Sequence, residues 1–231
     1  MIPFHNEEAC AKKLIDECLA ALELIPKVRA EIIAIDDGSQ DSTLEILKAA
    51  SRADARIEVI HFPHNRGQAP ALYYGLKHAS GEIVVTLDGD GQNNPADIPA
   101  LLARLKETDA DLVSGVRANR QDSRLRKFLS RFANRVRGSI LNDGVTDSGC
   151  ALKAFRRSVI HSLIPIRTLY SFIPALAKAG GHVVTECPVD HRSRDGGISH
   201  YGLGPFLWRP ALDMIGVWWF TRRSFTTRNL R

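Results

Sequence analysis

The chain has 231 residues, 44% hydrophobic and 25% charged, which supports one sizeable core and excludes a disordered or fibrous protein. Its four cysteines, at 10, 18, 150 and 187, contain no CxxC pair, so neither a zinc ribbon nor a redox dithiol is indicated, and small buried hydrophobes in a reducing compartment fit instead. Residues 1–116 carry 11 Lys+Arg against 19 Asp+Glu, a net −8, and residues 117–231 carry 20 against 7, a net +13. An acidic first half suits a cation site; a basic second half suits a phosphate-bearing ligand, an anionic membrane surface or nucleic acid.

Met1-Ile2-Pro3-Phe4 lacks the basic-then-apolar pattern of a signal peptide and reads as the end of a first strand. Asn6 is expected to cap a helix whose apolar residues Leu14, Ile15, Cys18, Leu19 and Leu22 recur at helical spacing. A strand follows at 31–35, then a helix capped by Ser39 or Asp41 with Leu44 and Leu47 on its inner face. Ile57–Phe62 reads as a strand and Gly67–Ala79 as a helix ended by Ser80-Gly81. Another strand spans 82–87, a helix runs from Pro95 to Lys106, and Asp111–Val116 is a strand. This rhythm predicts a mostly parallel sheet with helices on both faces and ligands beyond the carboxyl ends of the strands. The second half is less regular. Ser123–Ile140 reads as a basic amphipathic helix, Gly149–Phe155 and Val183–Val189 as strands, Arg192–Tyr201 as a polar loop, and Trp208–Arg231 as an aromatic and basic ending. No stretch reaches the ~18–20 apolar residues that span a bilayer. No linker divides the chain, so one domain covers 1–231.

Two acidic motifs sit at expected strand tips. Asp88-Gly89-Asp90-Gly91-Gln92 follows the apolar run Ile83–Leu87. Alternate side chains of an extended segment share a face, so Asp88, Asp90 and Gln92 would converge on one hard cation, Mg²⁺ or Mn²⁺. An acidic turn uses the same Asp-Gly dipeptides; the buried strand before it, and a second acidic tip, favour the metal. That second tip is Asp36-Asp37-Gly38-Ser39, whose carboxylates can accept from a base and a ribose.

Pro3-Phe4-His5-Asn6-Glu7-Glu8, the Asp36-Asp37-Gly38-Ser39 motif, Asn65-Arg66-Gly67 with Gly75, and Asp88-Gly89-Asp90-Gly91-Gln92 occur in an order that resembles the inverting family-2 glycosyltransferases. Four further motifs resemble the polyprenyl-phosphate branch of that family, which includes dolichyl-phosphate mannosyltransferases and undecaprenyl-phosphate glycosyltransferases. They are Val113–Arg117, Ser130-Arg131-Phe132-Ala133-Asn134, Asp147–Lys153 and Arg194–Tyr201. The resemblance implies a GT-A fold with a nucleotide-sugar half at 1–117 and an acceptor half at 118–231. It implies that Pro3, Asn6, Glu7, Asp36, Asp37 and Gly67 hold the nucleotide sugar, and that Asp88, Asp90 and Gln92 carry Mg²⁺ or Mn²⁺. Arg117 and Arg131 would bind the acceptor phosphate, and Arg194, Ser199 and Tyr201 would belong to a loop closing over the donor diphosphate. His200 stands where the family often has lysine, and His5 where tyrosine is common.

A phosphate acceptor is already anionic and needs no strong general base, so positioning and charge stabilisation carry most of the reaction. For Asp147 three roles stay open: orienting a sugar hydroxyl, acting as a base, or forming a turn. The partners expected are a UDP- or GDP-sugar, a polyprenyl phosphate and the cytoplasmic face of the inner membrane, met peripherally. Tryptophans and arginines near the end of the chain suit a membrane interface, with a homo-oligomer contact as the alternative. Two other functions are carried forward, a family-2 transferase with a saccharide hydroxyl acceptor and a non-catalytic nucleotide- or lipid-phosphate-binding module. Nucleic acid is disfavoured because the aromatics are not interleaved with the basic residues.

Overall fold

The computed structural model describes residues 1–25, 27–118, 135–193 and 205–223, the side chains of the last segment from 212 onward. The expected basic helix at 123–140 therefore lies mostly outside the described residues, as do Arg131, Arg194, Ser199, His200 and Tyr201.

Strands β1 (Ile2–Phe4), β2 (Ile32–Asp36) and β3 (Ile57–His61) form a parallel sheet in the order β1-β2-β3. Strands β4 (Ile83–Thr86), β5 (Leu112–Arg117), β6 (Lys153–Arg156) and β7 (Val184–Val189) form a second sheet in the order β4-β6-β5-β7. The sheets meet where Met1 N donates to Val85 O at 2.8 Å and Leu87 N donates to Met1 O at 3.2 Å. The mostly parallel α/β architecture is thus present, with one departure: β6 runs antiparallel to both β4 and β5. Its register sets Lys153 opposite Thr86 of β4 and Ser114 of β5. The amino end of β6 consequently lies at the carboxyl ends of its neighbours.

Helices cover both faces. α1 (Ala11–Glu23), α2 (Thr43–Ala53) and α4 (Ile98–Glu107) pack on one side, where Leu14, Ile15, Leu47, Leu101 and Leu105 join Phe4, Ala34, Val113 and Leu152. α3 (Gln68–His78), α6 (Leu169–Ala179) and α7 (Pro205–Arg223) pack on the other, where Leu72, Leu76, Phe172, Ile173 and Val217 meet Ile33, Ile35, Val84 and Phe155. Each such large apolar side chain contributes about 1.5–3 kcal/mol when fully buried. All four cysteines are buried and none is in a disulfide, as expected of small hydrophobes. Residues 135–141 are helical (α5).

Two helix starts differ from expectation. α1 begins after Cys10, not at an Asn6 cap; Asn6 has φ +55 and its Oδ1 instead accepts from Gln40 N at 2.8 Å. α2 begins after Ser42, whose side chain makes no cap; of the two expected caps, Asp41 Oδ1 does accept from Thr43 N at 3.0 Å, whereas Ser39 Oγ accepts from Asn6 N. α6 is a helix that the hydrophobic pattern does not announce, because Pro174 interrupts it. The strand expected from Gly149 starts at Lys153, and residues 147–152 form a loop in which Cys150 N donates to Asp147 O at 3.3 Å.

Candidate active site

Asp36 ends β2, and its register pairs it with Phe4 on one side and His61 on the other. Asp36 Oδ2 accepts from His61 Nδ1 at 2.8 Å, whereas the buried Oδ1 has no hydrogen-bond partner among the described residues. Asp37 is used differently. Its two oxygens accept Arg66 N and Gly67 N, each at 2.8 Å, so its carboxylate braces the 64–67 loop. Gly67 has φ +97, a conformation that a side chain would strain. Likewise a Cβ on Gly38 (φ +66) would run into the His64–Asn65 backbone.

The Pro3–Glu8 motif is stitched to this tip. His5 Nδ1 donates to Asp37 O at 3.0 Å, Glu7 N to Thr43 Oγ1 at 2.9 Å, and Glu8 N to Asp41 Oδ2 at 3.1 Å. Two motifs about thirty residues apart in sequence therefore form one surface at the end of β1 and β2.

The acidic motif after β4 is shaped otherwise than expected. β4 ends at Thr86, and residues 89–90 form a turn completed by Gly91 at φ +72. The expected alternation of an extended strand therefore does not bring Asp88, Asp90 and Gln92 to one face. Within it Gln92 N donates to Asp90 Oδ1 at 3.1 Å, and Gln68 Nε2 donates to Asp88 Oδ1 at 2.5 Å. Although Asp88 keeps some solvent exposure, the protein crowded around its carboxyl and then the Asp90 charge push its pKa up to about 7, against the opposing pull of Lys153, Gln68 and Arg117.

The Asp90 charge that helps raise the Asp88 pKa would equally attract a cation, and Mg²⁺ or Mn²⁺ typically takes only one or two protein carboxylates beside substrate phosphates. Among the described residues no group of three or more His, Cys, Asp and Glu could hold a metal ion. Asp88 and Asp90 thus stand as two carboxylates with no third His, Cys, Asp or Glu beside them among the described residues.

Beside this turn lies a buried ion pair. Arg117, the last residue of β5, donates from Nε to Asp147 Oδ2 and from Nη2 to Asp147 Oδ1, both at 2.7 Å, and its backbone N–H adds a 3.2 Å bond to Oδ2. The side chains are 15% and 8% exposed. Lys153 lies deeper, 1% exposed, with Nζ donating to the carbonyls of Ser148 and Cys150. Burial lowers the Lys153 pKa, and nearby Cys150, Asp88 and Asp147 work to raise it. Pro3, Gln68, Asp88, Lys153 and Tyr170 line one pocket between β4, α3 and α6.

Of the residues named from sequence, Asp88, Asp90, Arg117 and Asp147 thus lie at one end of the second sheet, and Pro3 and Asp88 share a pocket. Asn6, Glu7, Asp36, Asp37 and Gly67 gather at the neighbouring tips of the first. Gln68, Lys153 and Arg192 are additional. Arg192 pairs with Glu17 at 2.8 Å, donates to Asn94 Oδ1 at 2.6 Å, and its N–H reaches Gln92 O at 2.9 Å, so it ties the acidic turn to α1. A basic residue at 153 stood inside a motif already singled out, but nothing in the pattern announced its burial.

Comparison with known proteins agrees with this arrangement. A glucosyl-3-phosphoglycerate synthase from Mycobacterium tuberculosis, solved with Mn²⁺ and UDP-glucose, superposes with a TM-score of 0.70 at 20% identity, over 94% of this chain and 77% of that one. The same enzyme with Mn²⁺, UDP-glucose and phosphoglyceric acid gives 0.68 at 21% identity, over 95% and 77%. These similarities show the GT-A fold. Undecaprenyl-phosphate 4-deoxy-4-formamido-L-arabinose transferases of Salmonella paratyphi A and Salmonella enteritidis PT4 are 40% identical over 202 residues, 87% of this chain and 61% of theirs. The chain thus spans about three-fifths of the length of these relatives. Residues 1–164 match the family described as Glycosyl transferase family 2. That match takes in both acidic tips and the Arg117–Asp147 pair, and the chain belongs to glycosyl transferase family 2.

Proposed function

We propose that the chain catalyses inverting transfer of a sugar from a UDP- or GDP-linked donor to a polyprenyl phosphate at the cytoplasmic face of the membrane, with Mg²⁺ or Mn²⁺. The observation that carries this reading is the convergence of the acidic turn, the Arg117–Asp147 pair and Lys153 at one sheet end. Anion-repelling and anion-attracting groups stand side by side there, as a diphosphate–metal donor and a phosphate acceptor require. The name of the 40%-identical relatives supports the choice of acceptor.

In this reading Pro3, Asn6, Glu7, Asp36, Asp37 and Gly67 hold the nucleotide end, and Asp36 Oδ1 supplies a spare acceptor. Asp88, Asp90 and Gln92 hold the cation, which when bound acts as a Lewis acid toward the leaving diphosphate. Arg117 and Arg131 bind the acceptor phosphate, and Arg194, Ser199 and Tyr201 close on the donor. An acceptor phosphate oxygen forms the bond to the anomeric carbon as the nucleoside diphosphate departs with the electron pair of the broken bond. No base is consumed. Both Asp147 oxygens are engaged by Arg117, which suits a carboxylate that aims a guanidinium better than one that must take a proton.

α7 is the proposed membrane contact. Val217 is buried and Asp213 Oδ2 accepts from Thr168 N and Oγ1 at the start of α6, while Leu212, Ile215 and Trp219 are 56–60% exposed. Arg222 and Arg223 stack over Trp218 and Trp219 at 4.9 and 5.8 Å, a pairing suited to anionic headgroups. Among the described residues no helix is long and apolar enough to cross a membrane.

The test is nucleotide release from a panel of UDP- and GDP-sugars, with Mn²⁺ or Mg²⁺, with and without a short-chain polyprenyl phosphate. Release that needs both metal and lipid phosphate is expected. Equal release without the lipid, or none from any donor, refutes the reading.

A further inference from the structure

Gln68 opens α3, directly after the strained Gly67, and its placement is set from two sides. Upstream, the Arg66 and Gly67 amides are held by the buried Asp37 carboxylate at 2.8 Å each. Downstream, the Gln68 side chain crosses to the end of β4, where Nε2 donates to Asp88 Oδ1 at 2.5 Å. A line of hydrogen bonds and three consecutive residues therefore joins the acidic tip of β2 to the acidic tip beyond β4. Those two tips belong to different sheets, and the line passes over β1, which lies between them.

We propose that Gln68 is a positioning residue for the metal carboxylate: it fixes the Asp88 rotamer through one oxygen and leaves the second oxygen for the cation. This rests on the assignment of Asp88 as a metal ligand. The residue type matters. A carboxylate left to rotate must be ordered when the cation arrives, and a donor on one oxygen removes that cost beforehand. A lysine or arginine here would give a stronger bond but would neutralise the charge that attracts the metal. A neutral amide donates without doing so. Through Asp37 the same residue connects nucleoside and metal ends of the site, so movement of the 64–67 loop would reorient Asp88.

The experiment is titration of Mn²⁺, read by electron paramagnetic resonance of the free ion, in the presence of UDP and separately of GDP. Gln68→Met keeps the length and removes the donor; Gln68 is only half-buried in the first turn of its helix, so the change is accommodated. Outer partners of metal ligands typically set affinity by about 10–100-fold, and a loss in that range is expected. Metal-free nucleotide affinity should stay within about twofold and the melting midpoint within about 2 °C. Gln68→Asn, whose arm is one methylene short, should show the same selective loss. Mn²⁺ affinity within about twofold of wild type in both variants overturns the proposal, as does a loss matched by metal-free nucleotide binding and a lowered midpoint. Asp88→Asn separates the two levels of the argument. If it abolishes Mn²⁺ binding while Gln68→Met does not, only the positioning role fails. If it leaves Mn²⁺ binding unchanged, the metal assignment itself fails.

Discussion

Asp147→Ala strips the Arg117 guanidinium of a two-pronged partner and its backbone N–H of an acceptor. Deleting one member of a buried ion pair typically costs about 3–5 kcal/mol, because the survivor stays charged and desolvated. Arg117 is 15% exposed, so water reaches part of it and the lower end, about 3 kcal/mol, applies. Arg117→Ala leaves a buried carboxylate that can take up a proton, which limits its cost to about 2 kcal/mol. The double variant removes both charges together and should lose about 3 kcal/mol, not the sum of the singles, a coupling of about 2 kcal/mol. Urea unfolding of the four proteins at pH 7 measures this from the shift in midpoint at constant slope. Additivity within about 0.5 kcal/mol would refute the pair as an energetic unit. Asp147→Asn adds the functional arm. As an aiming group, its loss should raise the acceptor KM with modest change in kcat. Abolished turnover with donor binding intact would instead make Asp147 the base that a hydroxyl acceptor demands.

Asp90→Asn should remove metal-dependent turnover with the melting midpoint unchanged, and unaltered activity at saturating Mn²⁺ would sink the metal assignment. Gly115→Ala would place a methyl 2.8 Å from Leu152 O and 2.9 Å from both Cys150 Sγ and Val189 Cγ2. Overpacking of this kind costs about 1–3 kcal/mol, measurable by denaturant, and a neutral result would show that the 147–152 loop yields freely. At Glu31, partial burial works to raise the pKa, but hydrogen bonds from Ser80 N, Ser80 Oγ and Gly81 N outweigh it and hold the carboxyl below its ordinary 4.5. A depressed carboxyl stabilises the fold above its unfolded pKa and loses that contribution as pH falls through the folded value. Glu31→Gln should therefore cost about 0.5–1 kcal/mol at pH 7, discounted for solvent screening, with the gap to wild type closing as pH drops below 4.5. A gap independent of pH would refute this account. Ile215→Ser with Trp219→Ser should cut sedimentation with anionic-lipid vesicles at least about tenfold; unchanged partition would turn α7 toward a protein contact.

The first half of the fold was legible because its elements obey simple periods. Leu14, Ile15 and Cys18 recur at helical spacing, and Ile32–Ile35 forms a short apolar run closed by two aspartates. The same simplicity misled at Asn6 and at Asp88–Gln92. A capping residue and a turn residue share one chemistry, and only tertiary partners (Gln40 for Asn6, Gln68 for Asp88) decide which role is taken. α6 was invisible because a proline inside a helix is read as its end, although a helix buried along Phe172–Ala177 can absorb the lost hydrogen bond through packing.

The orientation of β6 is not legible in the sequence, and the proposed acceptor side of the site depends on it. A fully parallel sheet would put residue 153 beside Ile83, at the amino ends of β4 and β5, about 10 Å from where it stands. Asp147 would then face the wrong edge, and no pairing with Arg117 could form. Because β6 runs antiparallel, the loop that precedes it arrives at the carboxyl ends of both neighbours, so Asp147 pairs with Arg117, and Arg117 and Lys153 are set against Asp88. The strand–helix alternation of the first half is thus broken by one reversed strand in the second. That reversal lets a basic half and an acidic half, far apart in sequence, share a single site.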